Sequence, residues 1–502
     1  MADLKVDLTA PNGKKITLQT GLFINNEFVK ATGGQKITSI NPTDESEIAS
    51  VEAASADDVD KAVKAARAAF HHPSWSGISN TERGALIYKL ADLVEENKET
   101  LATLETWDNG KPYTVARDED LNDVISTLRY YAGWADKLHG QTIPTTGQKL
   151  AYTLKQPVGV CGQIIPWNYP LAMAGWKLGP ALATGNTVIV KPAEQTPLSI
   201  LKFAELIPEA GFPPGVINIV NGYGREAGQA LASHLDIDKI AFTGSTATAK
   251  VIMKTAAVNL KNITLETGGK SPLLVFDDAD LDQAAKWAHL GIMSNQGQIC
   301  TSTSRVLVHE SIHDKFVELF KEQVRKTSKV GDPFAEDTFQ GPQVTKAQYD
   351  KVLSYVEAGK SQGAKLVAGG VPYRKVGEGK GFFIEPTVFT DVSDQMTIYQ
   401  EEIFGPFVVI AKFKDEEEAL KLANNTTYGL GSAVFTQNIE RAHRVASKLE
   451  AGMVWINSSQ DSDFRVPFGG VKQSGIGREL GEAGLEGYLQ TKAVHVNLGS
   501  KL

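Results

Sequence analysis

The segment SNQGQICTS, residues 294–302, contains Cys300, one of only two cysteines in the chain of 502 residues. A cysteine nucleophile needs thiolate character, a donor that stabilises an oxyanion, and a base. None of the nine histidines lies in a motif that would pair it with a cysteine, and neither HExxH nor CxxC occurs, so the sequence offers no metal site. Cys300 is therefore either a buried small residue or a nucleophile whose base is not a histidine.

Two polar residues in unusual settings are candidates for the base and the donor. Glu266, in LETGGKSP (265–272), ends an apolar stretch and is followed by two glycines, which leaves its carboxylate with little side-chain bulk around it. Asn168, in IIPWNYPL (164–171), carries an amide that could donate to an oxyanion. Each motif taken alone is also consistent with a solvated glutamate or a turn asparagine.

Hydrophobic spacing predicts helices in the first third of the chain. Val59, Val63, Ala66 and Phe70 recur at helical spacing, and a second amphipathic helix is predicted from about Asn80. We therefore expect the first third to be rich in helix.

From about Gly159, short apolar runs alternate with helix-length segments. The runs that predict buried strands are 187–192, 216–222, 239–244, 272–276, 305–310, 408–413 and 452–457. Strands that alternate with helices predict parallel, doubly wound sheets. The fold class is therefore α/β, with two α/β lobes and a cleft between them.

Two turns after predicted strands could hold a dinucleotide phosphate. The glycines of GYGREAG (222–228), among them Gly224, are spaced one residue wider than the usual fingerprint. In FTGSTATAK (242–250), Gly244 allows close backbone approach and Ser245 can cap the following helix. Both segments are also compatible with ordinary strand-to-helix turns.

Lys191 and Glu194 follow another predicted strand, in VKPAEQTP (190–197). A carboxylate at a strand end can accept hydrogen bonds from both ribose hydroxyls and would repel a 2′-phosphate. This pair favours NAD over NADP, unless the two residues are simply surface charges.

Composition excludes several classes of function. The chain is 42% hydrophobic and 22% charged with a formal net charge of −8, and it contains no basic tract, which argues against a nucleic-acid partner. No run of about 18 apolar residues occurs, so no membrane span is expected. The N-terminal MADLKVDLTAP resembles neither a secretory signal nor a transit peptide, and two cysteines suggest a reducing compartment.

The sequence ends in Ser500, Lys501 and Leu502. The tripeptide SKL is read by the peroxisomal import receptor. We therefore expect that receptor as a partner and the peroxisome as the location, with a chance ending and the cytoplasm as the alternative.

The chain as a whole resembles the NAD(P)-dependent aldehyde dehydrogenase superfamily, in particular the group that oxidises acetaldehyde, retinal and betaine aldehyde. The motifs that carry the resemblance occur in the family's order, and they are PWNYPL, KPAEQTPLS, FTGST, LETGGKSP, NQGQIC, EEIFGP and PFGGVKQSGIGRELG. The resemblance implies a Rossmann-like cofactor domain, a catalytic domain and a small β oligomerisation element. It places the NAD-binding domain at 1–136 and 158–267, the catalytic domain at 268–476, and the oligomerisation element with the C-terminal tail at 137–157 and 477–502.

The resemblance also implies roles for the chemical residues. Cys300 matches the nucleophile that forms a thiohemiacetal, and the Asn168 side chain and the Cys300 N–H match the oxyanion donors. Hydride transfer to the nicotinamide leaves a thioester, and Glu266 matches the base that activates water to hydrolyse it. Lys177 and Glu479 match residues of a proton relay around Glu266, and no metal is required.

For the cofactor, the resemblance assigns Lys191 and Glu194 to the adenine ribose and Ser245 to the pyrophosphate. Glu402 matches the carboxylate on the nicotinamide ribose, with Phe404 beside it. The divergent loop at Gly224 and the turn at Gly244 are similar to the family's own dinucleotide turns. NAD is the expected cofactor, and NADP is the alternative.

Three positions depart from the family's pattern or lie outside its roles. Ala249 replaces the last glycine of GSTxxG, and Thr267 replaces the commoner leucine after the glutamate. Cys161 matches a buried strand position and is expected to be inert.

The substrate tunnel implied by the resemblance has a largely aromatic, uncharged wall. Its residues are Tyr169, Met173, Trp176, Ile299, Thr301, Ser462 and Phe468. Such a wall suits apolar aldehydes of broad range, while an aromatic box can also hold a trimethylammonium group. Phe468 stands where betaine-aldehyde enzymes usually have tryptophan, so broad aliphatic specificity is preferred over the betaine or another specialised reading.

The resemblance also implies a homodimer or homotetramer in which each subunit lends the C-terminal strand AVHVNL (493–498) to a partner. Rival readings are a catalytically silent structural relative, a cysteine-dependent acyl hydrolase and a CoA-acylating aldehyde dehydrogenase. The presence of both Cys300 and Glu266 disfavours the silent relative, the cofactor motifs disfavour the hydrolase, and Glu266 favours release of the thioester to water rather than to CoA.

Overall fold

The structure, a computed structural model, describes residues 4–499; the predicted SKL signal at 500–502 lies outside the described residues. The chain begins with strands β1 (Lys5–Thr9), β2 (Lys15–Gln19), β3 (Leu22–Ile24), β4 (Glu27–Val29), β5 (Lys36–Ile40) and β6 (Glu47–Glu52). Helices α1 (Ala56–His71), α2 (Pro73–Ser76), α3 (Asn80–Glu96), α4 (Lys98–Asn109), α5 (Tyr113–Val115) and α6 (Leu121–Trp134) follow.

The predicted helices correspond to α1 and α3, and both begin at a capping box. The Ser55 and Ser79 side chains accept from the backbone N–H three residues on, and Asp58 and Glu82 reach back to the cap. The expectation of a helix-rich first third missed the strands before residue 53. These strands are three to six residues long and pair as hairpins, so their period-two pattern is too short to stand out.

The middle of the chain alternates strands and helices. Its elements are β7 (Thr142–Ile143), β8 (Lys149–Pro157), β9 (Val160–Ile164), α7 (Pro170–Ala183), β10 (Thr187–Lys191), α8 (Leu198–Ala210), β11 (Ile217–Ile219), α9 (Gln229–Ser233), β12 (Lys239–Thr243), α10 (Thr246–Ala256) and β13 (Asn262–Glu266).

The remaining elements build a second lobe and return to the first. They are β14 (Pro272–Val275), α11 (Leu281–Met293), β15 (Arg305–His309), α12 (His313–Thr327), α13 (Lys346–Ser361), β16 (Lys365–Ala368), β17 (Thr387–Thr390), α14 (Thr397–Gln400), β18 (Phe407–Phe413), α15 (Glu416–Asn424), β19 (Gly431–Phe435), α16 (Ile439–Ala446), β20 (Met453–Ile456), β21 (Gly475–Ile476), α17 (Ala483–Glu486) and β22 (Leu489–Asn497).

The first large sheet has the strand order β21-β13-β12-β9-β10-β11-β3-β4, and its central strands from β13 to β11 are parallel. Helices α3, α6, α7 and α8 pack on one face, and α1, α9 and α10 pack on the other. Because both faces are covered, strands such as β10 are buried along their whole length. The carboxyl ends of β10, β12 and β13 present Lys191, Thr243 and Glu266 at one edge.

The second large sheet has the order β16-β17-β18-β15-β14-β19-β20, and all its pairs are parallel except β16 with β17. Helices α11 and α12 pack on one face and α13, α15 and α16 on the other. The chain crosses from the first sheet to the second between Glu266 and Pro272. The predicted α/β class with two doubly wound lobes is confirmed, while the exact domain limits stay a prediction.

A third sheet has the order β22-β8-β7. Strand β22 pairs antiparallel with β8 of the same chain, from Leu489 opposite Pro157 to Asn497 opposite Lys149. Because β22 is the outer strand and pairs with β8 along one edge only, the expectation that the C-terminal strand is lent to a partner stays a prediction. No helix in the part of the chain that the structure describes is long and apolar enough to cross a membrane.

Candidate active site

Cys300 is positioned by a tight turn that follows α11. Asn295, Gln296 and Gly297 adopt successive left-handed conformations, with φ of 47°, 57° and 69°. A Cβ at position 297 would lie 1.9 Å from the Gly405 carbonyl oxygen, so only glycine fits between the turn and that backbone. The glycine of NQGQIC is thus required by the backbone that presents the thiol.

Side-chain amides fix this turn to its surroundings. The Val344 N–H donates to Gln298 Oε1 at 3.1 Å, and Gln343 Nε2 donates to the Gln296 carbonyl at 3.2 Å. Both glutamines of NQGQIC are fully buried, so the turn is held from inside the lobe rather than by solvent.

Asn168 meets the same turn from the first lobe. Its Nδ2 donates to the Gln298 carbonyl at 3.0 Å, and Asn295 Nδ2 donates back to the Asn168 carbonyl at 3.2 Å. A side-chain amide carries two N–H donors. One hydrogen of Asn168 Nδ2 is therefore left to stabilise an oxyanion formed near Cys300.

The Cys300 thiol lies in an environment that opposes ionisation. Burial raises its pKa to about 12, and the nearby carboxylates of Glu402 and Glu266 act in the same direction. The thiol therefore carries its proton at neutral pH, and its reaction requires a base or a positive charge beside it.

Glu266 ends β13 with a buried carboxylate that has no hydrogen-bond partner for either oxygen within residues 4–499. Two glycines leave the space around it: a Cβ at Gly469 would lie 2.7 Å from Oε1, and one at Gly475 would lie 3.5 Å from Oε2. Burial raises the pKa of Glu266 well above its usual range, and Glu479 adds to this, while Lys177 and Arg478 oppose it. A buried, unpartnered carboxyl with a raised pKa has the properties of a general base.

Lys177 and Glu479 form a buried ion pair, and Lys177 Nζ also donates to Thr243 Oγ1 at 2.6 Å. The second oxygen of Glu479 has no partner in the described part of the chain. Since both residues influence the ionisation of Glu266, the predicted relay residues lie beside the predicted base.

The structure gives a reason for threonine at position 267, where the family more often has leucine. Its Oγ1 donates to the Gln473 carbonyl at 2.7 Å, and its N–H donates to the Ser474 carbonyl at 2.9 Å. These bonds hold the segment that leads into Gly475, the residue opposite Glu266 in the β13–β21 pair. The hydroxyl therefore helps to fix the wall around the Glu266 carboxylate.

Ala249 is buried on α10, and Cys161 is fully buried on β9, where burial raises its thiol pKa to about 12.

Glu402 and Phe404 lie on the far side of Cys300. The Gly269 N–H donates to Glu402 Oε1 at 3.0 Å, and a Cβ at Gly268 would lie 2.2 Å from Oε2. Burial raises the pKa of Glu402 to about 7, and the single backbone bond opposes the shift. Phe404 has a left-handed φ of 64°, and its ring packs edge-on against Trp167 at 5.3 Å between centroids.

The residues predicted for the rest of a dinucleotide lie around the carboxyl edge of the first sheet. Lys191 Nζ is 3.6 Å from Glu194, and the side chain of Lys191 passes 3.7 Å from where a Cβ would stand at Gly228. Gly224 begins a π-helical turn and has open space on its side-chain side, and Ser245 caps α10 by accepting from the Thr248 N–H at 3.2 Å.

Gly244 ends the turn between β12 and α10. Its N–H donates to the Glu266 carbonyl at 3.1 Å, which ties the start of α10 to the strand that carries the base. Open backbone at Gly224, the exposed N-terminus of α10 and a Lys–Glu pair at a strand end fit the phosphates and ribose of a dinucleotide.

The predicted tunnel residues fall into two groups. Trp176 and Phe468 pack edge-on at 4.9 Å, and both belong to one apolar cluster with Cys300. Met173, Tyr169 and Ile299 are buried or nearly so, whereas Ser462 is exposed on a surface turn. The structure thus assembles an aromatic wall near the thiol but leaves Ser462 at its outer rim.

Sequence reasoning missed several groups that touch this wall. Lys111 Nζ lies 4.1 Å above the Tyr169 ring and pairs with the buried carboxylates of Asp120 and Glu105. The Gln460 side chain makes two bonds to Thr301: its Oε1 accepts from the Thr301 hydroxyl, and its Nε2 donates to the Thr301 carbonyl. Lys111, in NGKPY, and Asp120 sit in charged or turn-like stretches, so no local signal distinguished them from surface residues.

Among residues 4–499, no group of three or more His, Cys, Asp or Glu side chains is arranged to hold a metal ion.

The fold agrees with comparisons to known proteins. The profile of the aldehyde dehydrogenase family matches residues 28–494. An aldehyde dehydrogenase of Emericella nidulans is 56% identical over the full length of both chains, and the Saccharomyces cerevisiae protein named aldehyde dehydrogenase [NAD(P)+] 1 is 55% identical over 99% of each. The chain belongs to the aldehyde dehydrogenase family, and the predicted class of enzyme is confirmed.

Solved structures support the same assignment. The NAD+ complex of an aldehyde dehydrogenase from Bacillus cereus is 52% identical, with a TM-score of 0.93 over 96% of this chain and 97% of that one. A betaine aldehyde dehydrogenase from Staphylococcus aureus in complex with NAD+ is 42% identical, with a TM-score of 0.94 over 97% of this chain and 96% of that one.

The raised pKa of Glu266 predicts a pH-dependent rate of aldehyde oxidation. A protonated carboxyl cannot accept a proton from water, so kcat should rise with pH as Glu266 ionises. The variant Glu266→Gln should lose this dependence and reduce kcat by roughly 100-fold or more, the range typical of a lost general base. The measurement is a pH profile of NADH formation at saturating aldehyde. Glu482→Gln, on the exposed surface, is the matched control, and a wild-type kcat in Glu266→Gln would contradict the assignment.

Proposed function

We propose that this chain oxidises an aldehyde to the carboxylic acid with NAD, using Cys300 as the nucleophile, Asn168 as oxyanion donor and Glu266 as base. The proposal rests on the hydrogen bond from Asn168 to the Gln298 carbonyl, in the turn that leads to Cys300. It also rests on the buried Glu266 carboxylate, whose oxygens have no hydrogen-bond partner among the described residues. When bound, NAD supplies the acceptor for the hydride.

The chain's own residues perform the remaining steps. Glu266 accepts the thiol proton as Cys300 Sγ bonds to the carbonyl carbon, and the oxyanion is stabilised by Asn168 Nδ2 and the Cys300 N–H. Glu266 passes this proton on to solvent before it acts again as a base. Collapse of the oxyanion expels the hydride and leaves a thioester on Sγ. Glu266 removes a proton from water as it attacks the thioester, and the carbon–sulfur bond breaks to release the acid and restore the thiol.

The cofactor assignment rests on the carboxyl edge of the first sheet. Glu194 beside the buried Lys191 would bind both ribose hydroxyls and repel a 2′-phosphate, which favours NAD over NADP. The N-terminus of α10 at Ser245 would hold a phosphate. Glu402, with a single backbone partner, would accept hydrogen bonds from the second ribose, with Phe404 beside it.

The Lys177–Glu479 pair is proposed as the route by which Glu266 exchanges protons. The support is that Glu479 has one unpartnered oxygen and that Lys177 reaches Thr243 at the strand edge.

We also propose that the NAD-binding domain comprises 1–136 and 158–267, the catalytic domain 268–476, and the oligomerisation element with the tail 137–157 and 477–502. The crossing between sheets at residues 267–271 and the separate third sheet support these limits.

For substrate, a broad range of aliphatic aldehydes is favoured by the aromatic, largely apolar surroundings of Trp176 and Phe468. A specialised betaine-aldehyde activity is the second candidate, because the same rings could hold a trimethylammonium group and the Staphylococcus aureus structure named above is a betaine aldehyde dehydrogenase.

The nucleophile is tested by Cys300→Ala. NADH formation from propanal should fall to background, because no other thiol lies at the site. The matched control is Cys161→Ala, which removes the other cysteine and should keep kcat close to wild type since Cys161 is buried in β9. Steady-state NADH absorbance measures both. Absence of NADH from wild-type protein with any aldehyde would instead favour a catalytically silent relative.

We further propose a homodimer or homotetramer in which the third sheet contributes to the interface. The side chains of Leu150 and Leu154 lie on one face of β8 and are 40% and 41% exposed, an apolar surface that association would cover. As the outer strand, β22 can pair with a partner subunit along its other edge while it remains paired with β8, which supports the lending of AVHVNL (493–498).

The interface proposal predicts that Leu154→Asp lowers the molecular mass in solution, since a charge would be buried on association. Light scattering after size exclusion measures the mass. Lys155→Glu, which changes charge on the opposite face of β8, is the control and should leave the assembly intact. Unchanged mass in Leu154→Asp would place the interface elsewhere.

Import into the peroxisome is proposed from Ser500, Lys501 and Leu502, the tripeptide read by the import receptor. A fluorescent fusion at the N-terminus should be punctate and become cytoplasmic with Lys501→Glu. Lys492→Glu, in β22, should remain punctate. A cytoplasmic wild-type fusion would favour the alternative location.

A further inference from the structure

A carboxylate lies at the aromatic wall of the substrate tunnel. Asp123, on α6, accepts a hydrogen bond at Oδ2 from Trp176 Nε1 at 2.5 Å. The Trp176 ring packs against Phe468 and belongs to the apolar cluster that contains Cys300. Asp123 is therefore one hydrogen bond from a ring that packs against the same apolar cluster as the proposed nucleophile, although no motif marks it in the sequence.

The neighbouring carboxylates have cationic partners, and Asp123 does not. Asp120 pairs with Lys111, and Asp463 pairs with Arg465 at 2.6 Å. Within residues 4–499, no lysine, arginine or histidine nitrogen comes within 4.0 Å of the Asp123 carboxylate. Its negative charge is thus offset by the indole N–H and the Thr127 hydroxyl rather than by a cation.

This arrangement strengthens the attraction of the wall for a cation. The faces of aromatic rings attract cations through their quadrupole, and Trp does so most strongly. A carboxylate at the N–H edge of Trp176 adds a full negative charge to the same side, in a partly desolvated setting where charges interact more strongly than in water. Burial raises the pKa of Asp123 to about 6, with the Trp176 bond opposing, so the group is largely ionised at neutral pH.

We propose that Asp123 sets the charge preference of the tunnel, so that aldehydes carrying a positively charged nitrogen are bound better than neutral aldehydes of the same shape. The proposal rests on the proposed function, because it assumes that the wall formed by Trp176 and Phe468 faces the substrate. The proposal adds to the broad range of aliphatic aldehydes a preference for amino- and ammonio-aldehydes.

The competing explanation is that Asp123 only orients the Trp176 ring. Asp123→Asn separates the two, since an asparagine oxygen still accepts the indole N–H while the charge is lost. A purely orienting role predicts equal effects on charged and neutral substrates. A charge role predicts a loss confined to charged substrates and expressed mainly in KM, because the distal cation binds equally in the ground and transition states.

The test compares isosteric pairs of aldehydes at about pH 7.5, where the amines and Asp123 are charged. Protonated 3-aminopropanal is paired with butanal, and 4-(trimethylammonio)butanal is paired with 5,5-dimethylhexanal. In wild type, the cation of at least one pair should have the higher kcat/KM, and Asp123→Asn should lower the cation-to-neutral ratio roughly tenfold while the neutral aldehyde changes by less than about twofold. The pair that responds identifies a primary or a quaternary nitrogen as the preferred group.

The control is Asp118→Asn, which removes an exposed charge paired with Arg117 and should leave the ratio unchanged. Equal ratios in wild type and Asp123→Asn, with neutral aldehydes still oxidised, would overturn the proposal and leave the proposed function standing. If no aldehyde is oxidised, the proposed function fails, and calorimetric binding of choline against 3,3-dimethylbutan-1-ol still decides the charge preference. If wild type prefers choline and Asp123→Asn does not, the proposed charge preference is supported. If wild type shows no preference for choline, the proposal is overturned.

Discussion

The site depends on one hydrogen bond, from Asn168 Nδ2 to the Gln298 carbonyl. Asn168 follows β9 of the first sheet, and Gln298 belongs to the turn after α11 of the second lobe. The bond therefore connects the lobe that presents the cofactor edge to the lobe that presents the nucleophile. Because the Asn168 carbonyl also accepts from Asn295, the contact is reciprocal, and the thiol and its oxyanion donor cannot shift independently.

The electrostatics of the site follow from the carboxylates that surround that junction. Glu266 and Glu402 both raise the pKa of Cys300, and both have their own pKa raised by burial. Burial and these nearby carboxylates keep the thiol protonated and therefore unreactive at neutral pH. The consequence is that catalysis requires proton removal at a defined atom, and the unpartnered oxygens of Glu266 are the ones placed to do it.

Much of the fold could be predicted from the sequence, and the proposed site residues were found where local backbone requirements coincide with chemical motifs. Gly297 is required by the Gly405 backbone, and a Cβ at Gly268 would displace the Glu402 carboxylate, so both glycines stand in motifs next to chemical residues. The N-terminal hairpins were missed because three to six residues give too little periodicity. Asp123 was missed for another reason: its partner Trp176 is 53 residues away, and only the packing of α6 on α7 brings them together. The pairing of β22 with β8 is likewise a tertiary outcome that strand pattern alone does not encode.

The position of Lys177 decides which carboxyl holds the proton beside Cys300. It pairs directly with Glu479 and with Thr243, so its charge compensates Glu479 first and reaches Glu266 only through space. Of the two glutamates, the unpaired Glu266 is therefore the one whose protonation relieves the like-charge repulsion at least cost. This asymmetry supports the proposed roles of Glu266 as the proton acceptor for attacking water and of Glu479 as the group through which that proton leaves. Thr267 holds the segment opposite Glu266 through its bond to the Gln473 carbonyl. Gly475, which has no side chain, leaves room beside the Glu266 carboxylate for the water.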